Sequence, residues 1–320
     1  MTSVHTEPRA IASLWIALFA AAVGVLMVNL LRNPGAGGQS QPLLAPLTFW
    51  ITDAQADSDT SQLAAAASTH WQLGQAPGSV GVLPGKPAQA IDAFLSRTAT
   101  PPQAPANLLV LTSTTLSQLD GHARPAAHAS VVAVLATDPL ELAVKAGSPL
   151  HSVAQALALV RADPSQKIFG VANDDWLVGN LAALVPGHGL HGRAPYTLYS
   201  SSADAIAGLT SGAAQVVLAP RSTLSGALAT HRVRLLHWPH GRTPQAWIAL
   251  VAPSSLSAKQ LASLRRHGQA LTAEPAWRRL LRADGMRPAD VAPPQLGAFL
   301  RDQLRDARHL HALTARFVQS

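Results

Sequence analysis

From residue 46 to the C-terminus, short apolar runs alternate with stretches whose apolar positions recur every three or four residues. The first pattern predicts strands and the second predicts amphipathic helices. Strands are expected at "LTFWIT" (47–52), "SVGVLPG" (79–85), "NLLVLTS" (107–113), "VVAVLAT" (131–137) and "LELAVKA" (140–146). Five more follow at "KIFGVA" (167–172), "APYTLYS" (194–200), "AAQVVLA" (213–219), "RVRLLHW" (232–238) and "AWIALVAP" (246–253). Between them, helices are expected at Thr60 to about Trp71, "AQAIDAFLSR", "SVAQALALVRADP", "WLVGNLAALV" and "ADAIAGLTSG", and from Ser257 onward the chain reads as helical. A turn around "ADGMRPADVAPP" interrupts that last helical region. Strands alternating with helices imply an α/β domain built on a parallel sheet.

One run is of a different kind. Residues 10–31, "AIASLWIALFAAAVGVLMVNLL", are apolar and uncharged between Arg9 and Arg32. About 20 such residues span a bilayer as a helix, whereas the apolar region of a signal peptide is only about 7–15 long. The run therefore reads as an uncleaved signal-anchor in preference to a cleaved signal. It follows a tail at residues 1–9 and leads into "RNPGAGGQSQPLLA" (32–45), a flexible tether. The flanking positive charges nearly balance, so they do not set its orientation.

Composition removes several chemistries. With no cysteine in 320 residues, a thiol nucleophile, a thiolate zinc site and a disulfide framework are excluded. The formal charge of +7 comes mostly from arginines in the last sixty residues, spread through amphipathic helices such as "LRRHGQALTAEPAWRRLLRAD". That spacing describes solvated helix faces, so no nucleic-acid partner is expected. "GHGLHG" (187–192) has the letters of a dinucleotide loop but lies between a predicted helix and a predicted strand, the reverse of the required order. "GVLPGKP" is too short for a phosphate loop, and Pro87 stands where a magnesium-binding hydroxyl is needed. The pairs His188/His191, His237/His240 and His309/His311 lack carboxylates at ligand spacing, and no G-x-S-x-G elbow occurs. No catalytic residue, cofactor or metal is expected, and the chain does not read as an enzyme. "VANDDW" (171–176), a strand end running into a helix start, is the sort of turn that holds an anion on free N–H groups, yet it carries Asp174 and Asp175.

From about Val131 onward, the order of segments resembles the substrate-binding proteins of tripartite tricarboxylate transporters, the Bug or TctC family. "VVAVLATDPLELAV" resembles its crossover strand, and "SVAQALALVRADPSQKIFGVA" its second-lobe helix, turn and strand. "WIALVAPSSLSAKQLASL" resembles the return strand and following helix, and "LTAEPAWRRLLRADGMRPADVAPPQLGAFLRDQL" the carboxyl-terminal end. "PLTFWIT", "VGVLPGKPAQAIDAFLSR" and "LLVLTSTTL" fit the first third more loosely. The resemblance implies an α/β, two-lobed periplasmic binding-protein fold (a Venus flytrap, type II-like), here preceded by one transmembrane or signal helix. Lobe one would be residues 46–138 plus 250–320, and lobe two residues 139–249. Such a protein closes on a small ligand by population shift and hands it to a membrane permease, with no bond made or broken.

The resemblance also supplies site residues. Ala172, Asn173, Asp174, Asp175 and Trp176 align with the second-lobe loop that holds a ligand carboxylate. The lobe-one counterpart runs from Thr52 through Asp53 and Asp57 to Asp59, and Thr112, Ser113 and Thr114 would line the cleft with hydroxyls. Gln215 stands near a position where the family often has an aspartate. The departures from the family pattern bear on the ligand. The lobe-one glycines are replaced by "AQADSD", and aspartates face each other across the expected cleft. A plain dicarboxylate is thereby disfavoured, leaving a carboxylate-like, a neutral or an amine-bearing ligand, or a site that has decayed. Two roles follow: an extracytoplasmic, periplasmic solute-binding protein anchored in the inner membrane by residues 10–31 and serving permease subunits, or a membrane-anchored sensor or scaffold that acts through a protein partner.

Overall fold

A computed structural model describes residues 47–52, 59–71, 79–96, 107–117, 129–163, 165–185, 195–238 and 243–319. The expected N-terminal helix at 10–31, with its tail and tether, lies outside them. Among the described residues no helix is long and apolar enough to cross a membrane.

The described strands form a nine-stranded sheet: β1 (Thr48–Thr52), β2 (Ser79–Leu83), β3 (Asn107–Thr112), β4 (Ala129–Lys145), β5 (Phe169–Ala172), β6 (Tyr196–Tyr199), β7 (Val216–Pro220), β8 (Val233–Leu236) and β9 (Gln245–Pro253). Their order is β2-β1-β3-β9-β4-β7-β5-β6, with β8 paired to β4. The sheet is mixed, which corrects the expectation of a parallel one. β1 runs parallel to β2 and β3, and β5 parallel to β6 and β7, but β9 is antiparallel to both β3 and β4. A strand buried on both faces reads as a continuous apolar run whichever way its neighbour points, so the pattern carries no direction.

The two strands expected at 131–137 and 140–146 are one 17-residue strand, β4, that changes partners midway. Its first part pairs with β9 as far as Pro139, opposite Gln245, and from Leu140 it pairs with β7. Proline supplies no ladder donor, and here it sits where one ladder ends and the next begins. β4 also carries extra residues against β9, with register shifts between Val131 and Ala133 and between Val134 and Ala136. The second shift strands the Leu135 carbonyl, which accepts from the indole of the fully buried Trp277 at 3.2 Å.

Each half of the sheet is covered on both faces. In the first half, Leu108 and Val110 face a core shared with α1 (Asp59–His70), α8 (Ala258–Ala273) and α9 (Pro275–Ala283). Leu109 and Leu111 face the opposite core, shared with α2 (Pro87–Leu95) and α3 (Ser113–Ser117). In the second half, Leu142 and Val144 pack with α4 (Val153–Ala162) and α5 (Asp175–Leu184), while Ala143 packs with α6 (Ser202–Ser211) and α7 (Arg221–Ala229). No element was expected at α7, because "RSTLSGALA" has few apolar positions and an internal glycine.

The last helix, α10 (Leu296–Gln319), belongs to both halves. At 24 residues it is about 36 Å long, enough to outrun one half. Leu296, Leu300, Leu304 and Ala307 pack in the first half, and Leu310, Leu313 and Phe317 in the second. Its end is seated by a ring stack of Phe317 on Tyr196 (4.7 Å between centroids) and by a bond from Thr314 Oγ1 to the Asp175 carbonyl (3.1 Å). Gly179 of α5 permits this approach, since a Cβ there would stand 2.9 Å from the Leu310 carbonyl oxygen. α8 and α9 thus pack in the first half, whereas α10 packs in both.

Candidate functional site

Four strands of the two halves, β3, β5, β6 and β7, each end in a polar turn that starts a helix: α3, α5, α6 and α7. Helix starts of this kind open onto one cavity of about 420 Å3, at the crevice outside the strands' carboxyl ends where α/β folds place ligands. Thr112, Ser113, Thr114 and Thr115 line it from the first half. Ala172, Asn173, Asp174, Trp176 and Leu177, with Ser200, Ser202, Ser222 and Thr223, line it from the second. The strands that cross between the halves contribute Thr137 and Asp138 from β4 and Ala246, Trp247 and Ile248 from β9, and Thr60 and Met286 complete the wall.

At each of those four helix starts a side chain of the protein accepts from at least one N–H group. At α3, Thr112 Oγ1 accepts from the Thr115 N–H (3.1 Å), and Thr115 Oγ1 accepts from the Thr112 N–H (2.9 Å). At α5, Asp174 is the N-cap, and its Oδ1 accepts from the N–H groups of Trp176 (2.9 Å) and Leu177 (3.0 Å). At α6, Ser201 Oγ accepts from the Asp204 N–H (3.1 Å). At α7 the cap comes from another element. Pro220 has no side-chain oxygen to offer, and Asp138 of β4 accepts from the Ser222 N–H (3.2 Å) and from its hydroxyl (2.6 Å).

Asp138 and Asp174 are the ionisable side chains among the described lining residues. Arg221, which starts α7, is turned instead to Glu141, at 3.4 Å. Burial pushes the Asp174 carboxyl above its ordinary value, and the neighbouring charge of Asp175 adds to the rise. Bonds from the Leu177 and Trp176 N–H groups and from Thr114 act in the opposite direction.

Of the residues expected at the site, Thr112, Ser113, Thr114, Ala172, Asn173, Asp174 and Trp176 line this cavity. Three others are placed elsewhere. Thr52 is wholly buried at the end of β1. Asp175 points the other way, its carboxylate 3.5 Å from His311 of α10. A helix turns about 100° per residue, so an N-cap and its successor face different directions. Gln215 is exposed at the start of β7, where its N–H bonds the Ile168 carbonyl, while the cavity lies at the far end of that strand. Asp53 and Asp57 lie outside the described residues; Asp59 begins α1, and its side chain also lies outside them. Sequence reasoning missed Asp138, Ser222, Thr223, Ser200 and Trp247. For Ser200, Ser222 and Thr223 the available signal was a hydroxyl residue just after a buried strand, whereas Asp138 and Trp247 lie inside strands and carry no such local mark.

No family model and no curated protein matches the sequence. Solved structures do match the fold. MatC from Rhodopseudomonas palustris with bound malate has a TM-score of 0.62 at 16% identity, covering 86% of this chain and 100% of that one. A TctC solute-binding protein from Polaromonas, without ligand, has a TM-score of 0.61 at 15% identity, covering 83% and 97%. The periplasmic binding protein BugD has a TM-score of 0.61 at 15% identity, covering 86% and 99%. At such identities the likeness is one of fold. The chain has the periplasmic binding-protein fold of the TctC and Bug type, with a mixed sheet flanked by helices.

Proposed function

We propose that this protein is an extracytoplasmic solute-binding protein that captures a small organic molecule between its two halves and presents it to a membrane permease. The observation that carries the reading is the cavity itself. It is walled by strand ends from both halves, floored by the two crossing strands, and set in a fold whose solved relatives include one holding malate. In this reading the lobes are residues 46–138 plus 250–320 and residues 139–249, and β4 and β9 act as the hinge. The apolar run 10–31 holds the protein at the outer face of the inner membrane.

Function then requires no chemistry beyond closure. A ligand that binds the closed arrangement better than the open one shifts the population toward it by its difference in affinity. Trp176 and Trp247 line the cavity and would report occupancy by their fluorescence. The test is a screen of small acids, amides and amines against the full chain in detergent, read by thermal shift and tryptophan emission. A ligand at a hundred times its Kd should add about 2.7 kcal/mol to stability. Silence across all three classes in both readouts would overturn the proposal.

A further inference from the structure

Away from the cleft, the helices over the first half carry a face of one charge. α8 and α9 each bury one stripe in the same core, through Leu264 and Leu271 and through Trp277 and Leu281. Their opposite stripes therefore point away from that core together. On α8 that stripe exposes Lys259 and Arg266, two turns apart, and on α9 it exposes Arg278, Arg279 and Arg282. Glu274 and Asp284 are the carboxylates of residues 258–284. Glu274 is held by His70 at 3.1 Å, and Asp284 stands beyond the last residue of α9. Among the described residues none of the five exposed cations forms an ion pair. Arg278 and Arg282 donate from Nε to the carbonyls of Thr272 (3.3 Å) and Arg278 (3.1 Å), which orients them and cancels no charge. α1, which packs on the same core, turns Gln62, Ala65 and Thr69 outward and adds no counter-charge.

We propose that this outward face of α8 and α9 docks the domain on an anionic lipid bilayer. The inference rests on the reading of residues 10–31 as a membrane anchor. Charge complementarity is one argument, since basic side chains are drawn to anionic headgroups. The route of the chain is the other. Leu47, just after the tether, lies in the same core as α8 and α9. A flexible tether of 14 residues (32–45) spans about 20 Å on average, which keeps a bilayer within reach of the domain and favours it over a polynucleotide. The large apolar side chains exposed among the described residues, Val82 and Leu198, lie on β2 and β6 and not on this face. Docking is therefore adsorption by charge, without insertion of an apolar wedge.

The chain has no cysteine, so a single introduced one can carry a fluorophore. Ala270→Cys labels the exposed stripe of α8, and Ala207→Cys labels α6 in the second half as a control. The full chain is delivered from detergent to vesicles of phosphatidylcholine, alone or mixed with phosphatidylglycerol, whose headgroup spin labels quench a nearby fluorophore. Each basic side chain near an anionic surface is worth about fivefold in the ratio of docked to free domain. Quenching at Ala270→Cys should be at least about threefold stronger with phosphatidylglycerol and should fall as salt is raised. The Ala207→Cys label should respond to neither. Adding Arg278→Gln, Arg279→Gln and Arg282→Gln should lower the docked ratio at least about tenfold with Tm retained. The salt series on the unmutated face decides the matter even where that variant fails to fold. Equal quenching on the two vesicles, or quenching that salt leaves unchanged, would overturn the docking. So would tighter capture of a short duplex DNA than of the anionic vesicles. A carbonate wash reads the anchor separately. Protein retained after the wash without lipid-dependent quenching overturns the docking and keeps the anchor. Protein stripped by the wash overturns the anchor, while the quenching measured before it still decides the docking.

Discussion

Two glycines in helices should respond oppositely to the same substitution, and the difference tests how α10 is seated. Gly→Ala in a helix interior ordinarily gains about 0.8–1 kcal/mol by propensity. At Gly226 of α7 a Cβ meets nothing within 4 Å, so Gly226→Ala should gain close to that amount. At Gly179 of α5 the same methyl would lie 2.8 Å from the Leu310 Cβ and 2.9 Å from its carbonyl oxygen. A backbone oxygen cannot rotate aside, so α10 must move. Overpacking of this kind costs about 1–3 kcal/mol. The displacement also threatens the Phe317–Tyr196 stack and the Thr314 bond to the Asp175 carbonyl, each worth about 0.5–1.5 kcal/mol. Setting the propensity gain against these losses leaves a net destabilisation of about 1–2 kcal/mol for Gly179→Ala. Thermal unfolding should show Tm lowered by a few degrees in one variant and raised in the other. Hydrogen exchange in Gly179→Ala should accelerate over the last turns of α10. A Gly179→Ala protein as stable as the unmutated one, with α10 exchange unchanged, would mean that α10 is not seated on α5 through Leu310.

Asp174→Asn keeps an N-cap oxygen and removes a buried charge beside Asp175, so it should match or exceed the unmutated protein in Tm at neutral pH; Asp174→Ala should fall below it by about 1 kcal/mol. Because the folded-state pKa of Asp174 is raised, its stabilising contribution is complete at low pH and is lost as pH rises through that value. The advantage of Asp174→Asn should therefore grow from pH 3 upward, and an advantage that shrinks would contradict the assignment. Asp204 is the opposite case: bonds from the Ser200 and Ser201 hydroxyls hold its carboxyl below the ordinary value. Its contribution is present above the ordinary value and lost as pH falls, so Ser200→Ala with Ser201→Ala should flatten the acid limb of a stability–pH curve. Trp277→Phe leaves the Leu135 carbonyl without its indole donor and opens a void in the first-half core, which should cost about 2–4 kcal/mol in urea unfolding.

The elements were legible where burial imposes a pattern. β1, β3, β5, β7 and β9 all announce themselves as apolar runs, and Asp174 announces itself as a carboxylate before "WLVGNLAAL". What could not be read were features that depend on who pairs with whom. The antiparallel insertion of β9 leaves no mark on "WIALVAP", and Pro139 looked like a break because its missing donor matters only if its neighbours are known. At the site, Asp174 caps its own helix and so shows locally, whereas Asp138 caps α7 from a strand 84 residues earlier. Asp175 was misplaced for a similar reason, since its orientation is set by α10, which arrives from the far end of the chain.

The position of β9 also has a consequence for synthesis. It lies between β3 and the first part of β4, yet it is made after both and after all the strands of the second half. As the chain emerges N-terminus first into the compartment where it folds, the stretch from Leu140 to Leu236 can therefore assemble its own ladders while the first half still waits. Until Gln245–Pro253 emerges, the apolar edges of β3 and of β4 before Pro139 lack the strand that covers them. Uncovered edges of this kind are templates for pairing with other chains. Nascent chains stalled before Gln245 should thus be the aggregation-prone species of this protein and the ones that chaperones engage, however stable the finished molecule is.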